Sequence, residues 1–265
     1  MAKLNKVTML ETGVILKRLY KQIESSAKGR KVADLRIGLG YIGVRLDNGC
    51  TGIAAVLFDA LPHGCTVMPA AGSFAGSPAA DLLQYLVDGK NPLEIAIGLA
   101  VANALIKPPA DCADNNEATT YLNLQPGDKV AMVGLFAPLV ERIRATGAIL
   151  TVIEKNPQRL ELLSEEIKQQ ALRDCDVAII TATTLLNKTF EETVSALGAP
   201  RSVAVLGPST PLVPEIFHNT PVTHLGGVAV VDSARVLQIV SEGGGTPALR
   251  PYLRFVNLIN KKSGN

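Results

Sequence analysis

The chain has 265 residues and a formal net charge of +2, with 47% hydrophobic and 19% charged residues. That composition excludes intrinsic disorder and supplies apolar side chains for one large core or two of ordinary size. The near-neutral balance, 4% aromatic content and absence of Trp give neither the basic footprint nor the stacking platforms of a nucleic-acid binder, so no nucleic-acid partner is expected. Cys50, Cys65, Cys112 and Cys175 form no CxxC pair, which excludes a zinc ribbon or a thioredoxin-type motif. The longest apolar helical stretch, residues 95–106, is far short of the about 20 residues that cross a bilayer. The first ten residues lack a secretory apolar run. A cytoplasmic protein with reduced thiols and no membrane partner is expected.

Taken in order, Thr8 and Glu11 have the spacing of a capping box. Leu10, Val14, Leu19 and Ile23 recur at helical spacing behind it, predicting an amphipathic helix that ends near Lys28-Gly29. Leu35, Ile37 and Leu39, then Ile42, Val44 and Leu46, alternate with polar or small residues as strands do. Asn48-Gly49 supplies two φ > 0 positions for a tight hairpin, and residues 51–58 return as a third strand. A Gly/Ala/Pro-rich loop follows over 59–77. Ser77-Pro78 starts a helix that Gly89 stops, and Asn91-Pro92 with Glu94 starts another that runs to Lys107 before Pro108-Pro109. The order α-β-β-β-α-α predicts a small α+β domain over 1–107, joined by a connection over 108–127.

From 128 the pattern changes. Short Val/Ile/Leu runs at 129–133, 148–153, 176–181, 202–206 and 222–225 are mostly separated by helical stretches, which predicts a parallel sheet covered on both faces. Helix starts are marked at Pro138, Thr189 with Glu192, Thr210-Pro211 and Asp232. Residues 128–265 therefore predict a Rossmann-like α/β domain.

Two places carry possible chemistry. The first βα turn contains Gly134 and Pro138, and Glu154 ends the second strand twenty residues after Gly134, where a dinucleotide site puts its ribose-binding acid. Phe136 and Leu139 stand where the second and third glycines of that signature belong, so an ordinary NAD or FAD site is not predicted. Glu154 is equally readable as an exposed acid at a strand end. The second place is the later strand ends, with Thr183, Asn187 and Thr189 after one strand and Gly207, Ser209 and Thr210 after the next. Hydroxyls, an amide and free helix-start N–H groups would suit a polar or anionic group, while Thr189 and Thr210 are also well placed as N-caps. Gly226-Gly227 and Gly243-Gly244-Gly245 read as loops or turns. Asn103, in an otherwise apolar helix, is either a bridge to backbone or a site residue facing the other domain. His63 and Cys65, with Met68 nearby, are candidate soft-metal ligands, and Cys112 between Asp111 and Asp114 forms a second cluster. His218 and His224 have no assigned role. No Ser-His-Asp set, P-loop, HExxH or paired-carboxylate motif is present.

The runs ITATTLLNKTFEE, LGPSTPLVPEIF and LGGVAVVDSARVLQIVSEGGGT resemble a bacterial and archaeal family described as heavy-metal chelatases. AGSFAGSPAADLL and NPLEIAIGLAVANAL resemble the amino-terminal half of the same family. The resemblance implies an enolase N-terminal-like domain followed by a Rossmann-like domain, with a site between them. Carried over by motif, its candidates are Asn103, Thr183, Asn187, Gly207, Ser209, Thr210, Gly226, Asp232 and Glu242. Where the family pattern has Thr-Gly-Thr-Thr, this chain has Ala182. The resemblance implies a small-molecule or metal ligand, with a divalent heavy metal as the candidate cofactor and His63, Cys65, Asp232 and Glu242 as candidate metal ligands. The alternative is an enzyme using an adenosine-containing cofactor such as S-adenosylmethionine, with Glu154 on the ribose and Gly134 beneath the ligand. A non-catalytic sensor would use the same cleft.

Overall fold

In the computed structural model, which describes residues 10–61, 64–108 and 118–259, helix α1 spans Val14–Ala27. Its apolar side chains Ile15, Leu16, Leu19 and Ile23 share one face, and all are buried. The helix starts later than the capping-box pattern predicts. Gly13, at φ 75°, precedes it, and Glu11 pairs with Lys17 at 2.6 Å; Thr8 lies outside the described residues.

The predicted meander is present as β1 (Val32–Ile37), β2 (Tyr41–Leu46) and β3 (Thr51–Ala55), antiparallel in the order β1-β2-β3. Its second hairpin differs from the expected two-residue turn. At that turn only Gly49 has positive φ (83°), its N–H returns to Leu46 O, and the Leu46 N–H bonds Cys50 O. This is a longer turn closed by a left-handed glycine, with Asn48 Oδ1 accepting the Cys50 N–H at 3.1 Å. The third strand stops at Ala55, and Phe58–Ala60 forms a 3-10 turn.

The helix expected between Ser77 and Gly89 is two short ones, α2 (Ala79–Leu83) and α3 (Tyr85–Asp88), joined at Gln84. Helix α4 (Pro92–Leu105) is capped as predicted. Asn91 Oδ1 accepts the Leu93 and Glu94 N–H groups at 3.0 Å, and Glu94 Oε2 accepts the Lys90 N–H. Apolar nearly all round, α4 is buried between β2 and β3 on one side and the first three helices on the other.

The second half forms a six-stranded sheet of β4 (Lys129–Val133), β5 (Ile149–Ile153), β6 (Val177–Thr181), β7 (Ser202–Leu206), β8 (His224–Val230) and β9 (Leu253–Ile259). The order is β5-β4-β6-β7-β8-β9, parallel throughout except for β9 against β8. Helices α5 (Ala137–Ala145), α6 (Glu165–Asp174), α7 (Thr183–Leu186), α8 (Phe190–Ser195), α9 (Ser233–Ser241) and α10 (Thr246–Leu249) connect the strands. The architecture is mixed α/β, a small antiparallel sheet followed by a larger, mostly parallel one. Three local expectations are corrected. Gly226 and Gly227 lie inside β8 rather than in a loop, because β8 is lengthened by pairing with β9. Thr210-Pro211 starts no helix, the next helical turn being the 3-10 turn Pro214–Phe217. Thr189 precedes α8 but does not cap it; its hydroxyl donates to Asn187 Oδ1 at 2.7 Å.

The two sheets share one continuous apolar core. Around it, polar contacts join the halves. Glu191, 2% exposed, accepts the Ile15 N–H at 3.1 Å, placing a carboxylate on the free donors at the start of α1. Arg18 donates to Ile216 O and His218 O, and the Tyr41 hydroxyl meets Thr246 Oγ1 at 2.6 Å. Within the first half β3 lies directly on α4, where a Cβ on Gly52 would stand 2.2 Å from Ala104 N and 2.3 Å from Ala100 O. Both atoms are helix backbone and cannot swing away. Gly52→Ala should therefore lower stability by at least the about 1–3 kcal/mol typical of overpacking, read as a fall in the urea midpoint at unchanged secondary structure.

Candidate functional site

Strand β3 forms one edge of its sheet, so part of its backbone has no neighbouring strand to bond. Ile53 and Ala55, two residues apart, present such groups on the same side. The amide of Asn103 on α4 donates to Ile53 O at 3.0 Å. Ser209, 1% exposed and just past β7, accepts the Ala55 N–H on its hydroxyl at 2.8 Å. Thr51 Oγ1 donates to Ser233 Oγ at the start of α9, at 2.9 Å. The edge of one sheet is thus finished by side chains from α4 and from the other sheet's loops.

Beside these clamps is a cavity of about 230 Å³. Its walls come from the β2–β3 hairpin (Cys50, Thr51), the carboxyl end of α4 (Asn103) and the residues just past it (Lys107), the segment after β7 (Pro208, Thr210) and the apolar strand β8. Thr210 is 2% exposed, and its N–H donates to Gly207 O at 2.9 Å. Its Oγ1 is buried with no hydrogen-bond partner. A buried hydroxyl left unpaired costs about 1–3 kcal/mol, so the fold carries this group at a loss. Ile53, Leu212 and the β8 residues make the rest of the wall apolar, and no carboxylate among the described residues lines it.

The crevice at the strand ends is differently built. In the order of the larger sheet, the chain leaves β4 toward β5 and returns to β6 on the other side, so the switch point lies between β4 and β6. There Gly134, at φ 83°, lies against Thr181; a Cβ on it would come within 2.6 Å of Thr181 Cγ2. The Thr181 side chain packs on the backbone that a pyrophosphate would have to approach. Glu154 ends β5 as predicted but is 8% exposed, so it is not a solvent-exposed acid. Its carboxylate accepts the Leu135, Lys155 and Asn156 N–H groups at 3.2, 2.7 and 3.1 Å and pairs with Arg159 at 3.0 Å. Four contacts match the about four lone-pair sites of a carboxylate, so a ribose hydroxyl would have to displace a native partner. Glu154 staples the β4–α5 turn to the end of β5.

The remaining predicted site residues are mostly structural. Thr183 Oγ1 meets Thr181 Oγ1 at 3.0 Å, and Asn187 forms a local turn with Thr189. Ala182, at φ −62°, occupies ordinary helical space, so glycine is not required there. Gly207, at φ 120°, turns the chain out of β7 toward Ser209 and Thr210. Gly226 is needed for packing, since a Cβ would stand 2.6 Å from Leu206 Cδ2. Sequence reasoning missed Cys50 and Lys107 as cavity residues. Both stand beside punctuation it did read, the Asn48-Gly49 turn and the Pro108-Pro109 stop. It also missed the buried His224, whose Nε2 meets Asn257 Oδ1 at 2.9 Å and whose ring lies 5.2 Å from that of Tyr121.

A family model, DUF364, described as "Putative heavy-metal chelation", matches residues 117–259, and a second, DUF4213, with the same description matches 20–106. The chain belongs to the DUF364 family. An uncharacterized protein of Methanocaldococcus jannaschii is 26% identical over 157 residues, 57% of this chain and 61% of that relative's length. A DUF364 protein with unknown function from Pyrococcus horikoshii, solved by crystallography, shares the fold with a TM-score of 0.78 at 21% identity, over 92% of this chain and 99% of that one. A second DUF364 crystal structure, from Desulfitobacterium hafniense, gives 0.73 at 22%, over 92% and 98%.

For a DUF364 chain, the placement of acidic and soft side chains decides whether it can hold a bare ion. Asp232 caps α9, its Oδ1 accepting the Arg235 N–H at 3.0 Å, while Glu242 ends the same helix and accepts from Gln238 Nε2. Ten residues of helix put them about 15 Å apart, too far to share one ion. Cys65 is an exposed thiol, and His63 lies outside the described residues, as does the Asp111–Cys112–Asp114 cluster. Among the described residues, no three His, Cys, Asp or Glu side chains converge to hold a metal. None of the described helices is long and apolar enough to cross a membrane.

Two outcomes are expected. Burial alone would raise the Glu154 pKa, but the Asn156, Lys155 and Leu135 N–H groups and Arg159 together hold it below the ordinary 4.5. Its contribution to stability is then present above pH 4.5 and lost as pH falls through the lower folded-state value. Glu154→Gln should flatten the acid limb of the stability profile, measured as urea midpoints from pH 7 down to 3. Separately, Thr210→Val removes an unpaired buried hydroxyl in an isosteric way and should leave thermal stability unchanged or raised. A residue whose hydroxyl bonds the protein itself would lose stability instead.

Proposed function

We propose that this protein binds a small metal-bearing compound in the cavity between its two sheets, as its own form of the heavy-metal chelation for which its family is described. The observation that carries this reading is a cavity whose walls come from both halves of the chain, with Thr210, whose buried hydroxyl has no protein partner, among its lining residues. A fold that leaves such a group without a protein partner leaves it for a ligand. The cavity lies below the about 300–1,000 Å³ usual for drug-sized ligands, which favours a compact compound over a nucleotide. Family membership supplies the heavy metal, and the scarcity of converging metal ligands among the described residues favours a metal that arrives already complexed. The adenosine-cofactor reading gains no support from the saturated Glu154 or from Thr181 packed on Gly134.

Thermal unfolding tests this directly. The protein is heated alone, with soft divalent metals free and as small-molecule complexes, and with S-adenosylmethionine. A ligand at 100 times its dissociation constant adds about 2.7 kcal/mol, a visible rise in midpoint. The rise is expected with a metal complex and not with S-adenosylmethionine. Ala229→Phe, which enlarges a lining residue of the cavity, should abolish it while the variant still unfolds cooperatively. An undiminished shift in that variant would move the site elsewhere.

A further inference from the structure

The lining of the cavity also bears on how the metal is presented, an inference that rests on the cavity being the binding site. A bare heavy-metal ion needs several thiolates, imidazoles or carboxylates around it. Among the described residues this lining offers the thiol of Cys50, no imidazole or carboxylate, and the cation of Lys107 as its charged side chain. The other polar groups are hydrogen-bond donors or amphoteric. Asn103 uses one amide hydrogen on Ile53 O and keeps a second, and Thr210 has its unpaired hydroxyl. The carboxyl end of α4 adds a partial negative charge equivalent to about half a unit, which the full charge of Lys107 outweighs. Apolar side chains of Ile53, Leu212 and β8 fill the remaining wall.

We infer that the cavity recognises a small organic carboxylate with an apolar body, and that the metal is held by donors of that ligand rather than by the protein. The carboxylate faces Lys107, the apolar body lies against β8, and the Thr210 hydroxyl takes a polar atom at the inner wall. The protein thus selects the chelator, and metal is carried with it.

Pyridine-2-carboxylate (a compact ring with a carboxylate and a chelating nitrogen) and benzoate, its non-chelating analogue, are suitable probes. Each is titrated calorimetrically into the full chain, alongside zinc and cadmium chlorides in a non-coordinating buffer. Pyridine-2-carboxylate and benzoate should both bind, whereas isosteric benzamide, without the charge, should bind at least about tenfold more weakly, the loss expected for one charge-assisted hydrogen bond. Lys107→Gln should remove the preference for the anion, a readout that a merely structural lysine would not move. Thr210→Val should weaken both carboxylates while leaving the unfolding midpoint of the free protein unchanged or raised. Benzamide binding as well as benzoate, or an unaltered preference in Lys107→Gln, would overturn the carboxylate assignment. Tight binding of free cadmium that is abolished by Ala229→Phe would keep the cavity as the site and overturn only this inference. Binding of any probe that persists in Ala229→Phe would instead overturn the cavity reading.

Discussion

The unfinished edge of β3 is the constraint around which the molecule is arranged. A three-stranded sheet has two edges, and peptide groups there must find partners or water. Here the inner edge is turned into the protein, where water cannot serve every group, so side chains do. Asn103 takes Ile53 O, Ser209 takes the Ala55 N–H, and Thr51 reaches Ser233. These bonds come from α4, from the segment after β7 and from the start of α9. Satisfying one strand therefore fixes how the antiparallel sheet stands against the parallel one.

Close backbone approach reinforces that arrangement. Gly52 lets β3 lie on α4, and Gly38 admits Val240 O of α9, 1.9 Å from where its Cβ would be. With the backbones so close, the side chains around the clamps cannot fill every space, and the cavity is what remains. Thr210 is carried to its wall by the turn at Gly207, with a hydroxyl that the protein does not use. The strand-end crevice took the opposite course. Glu154 is saturated by three N–H groups and Arg159, and Thr181 packs on Gly134. A location favoured by topology for ligand binding is here consumed by structure, while the cavity proposed for the ligand lies between the sheets.

Several candidate residues were legible because their local chemistry is restrictive. Asn91-Pro92 with Glu94 can hardly be anything but a helix start, and Asp232 does cap α9. The three-strand meander and the five parallel strands follow from apolar periodicity, which needs no knowledge of neighbours. Strand β9 was missed because its sequence, LRFVNLI, gains its identity from pairing with β8. Glycines 226 and 227 were read as loop for the same reason, and the Thr8–Glu11 spacing matched a cap that the helix does not use. Asn103 and Ser209 stand out in the sequence as residues needing an explanation, and only their partners reveal that each finishes an edge of β3.

The sequence by itself determined the three-strand meander, the five parallel strands, the change of grammar near residue 128 and several helix starts. These depend on interactions a few residues apart, which the local order of side chains already contains. Tertiary structure alone decided that Asp232 and Glu242 stand at opposite ends of one helix and that Glu154 is fully engaged. It also decided that Cys50, Lys107 and Thr210, more than 50 residues apart in succession, share one cavity. Those outcomes depend on distance and on which hydrogen-bond capacity is left over. Neither is a property of any residue until the whole chain has been packed.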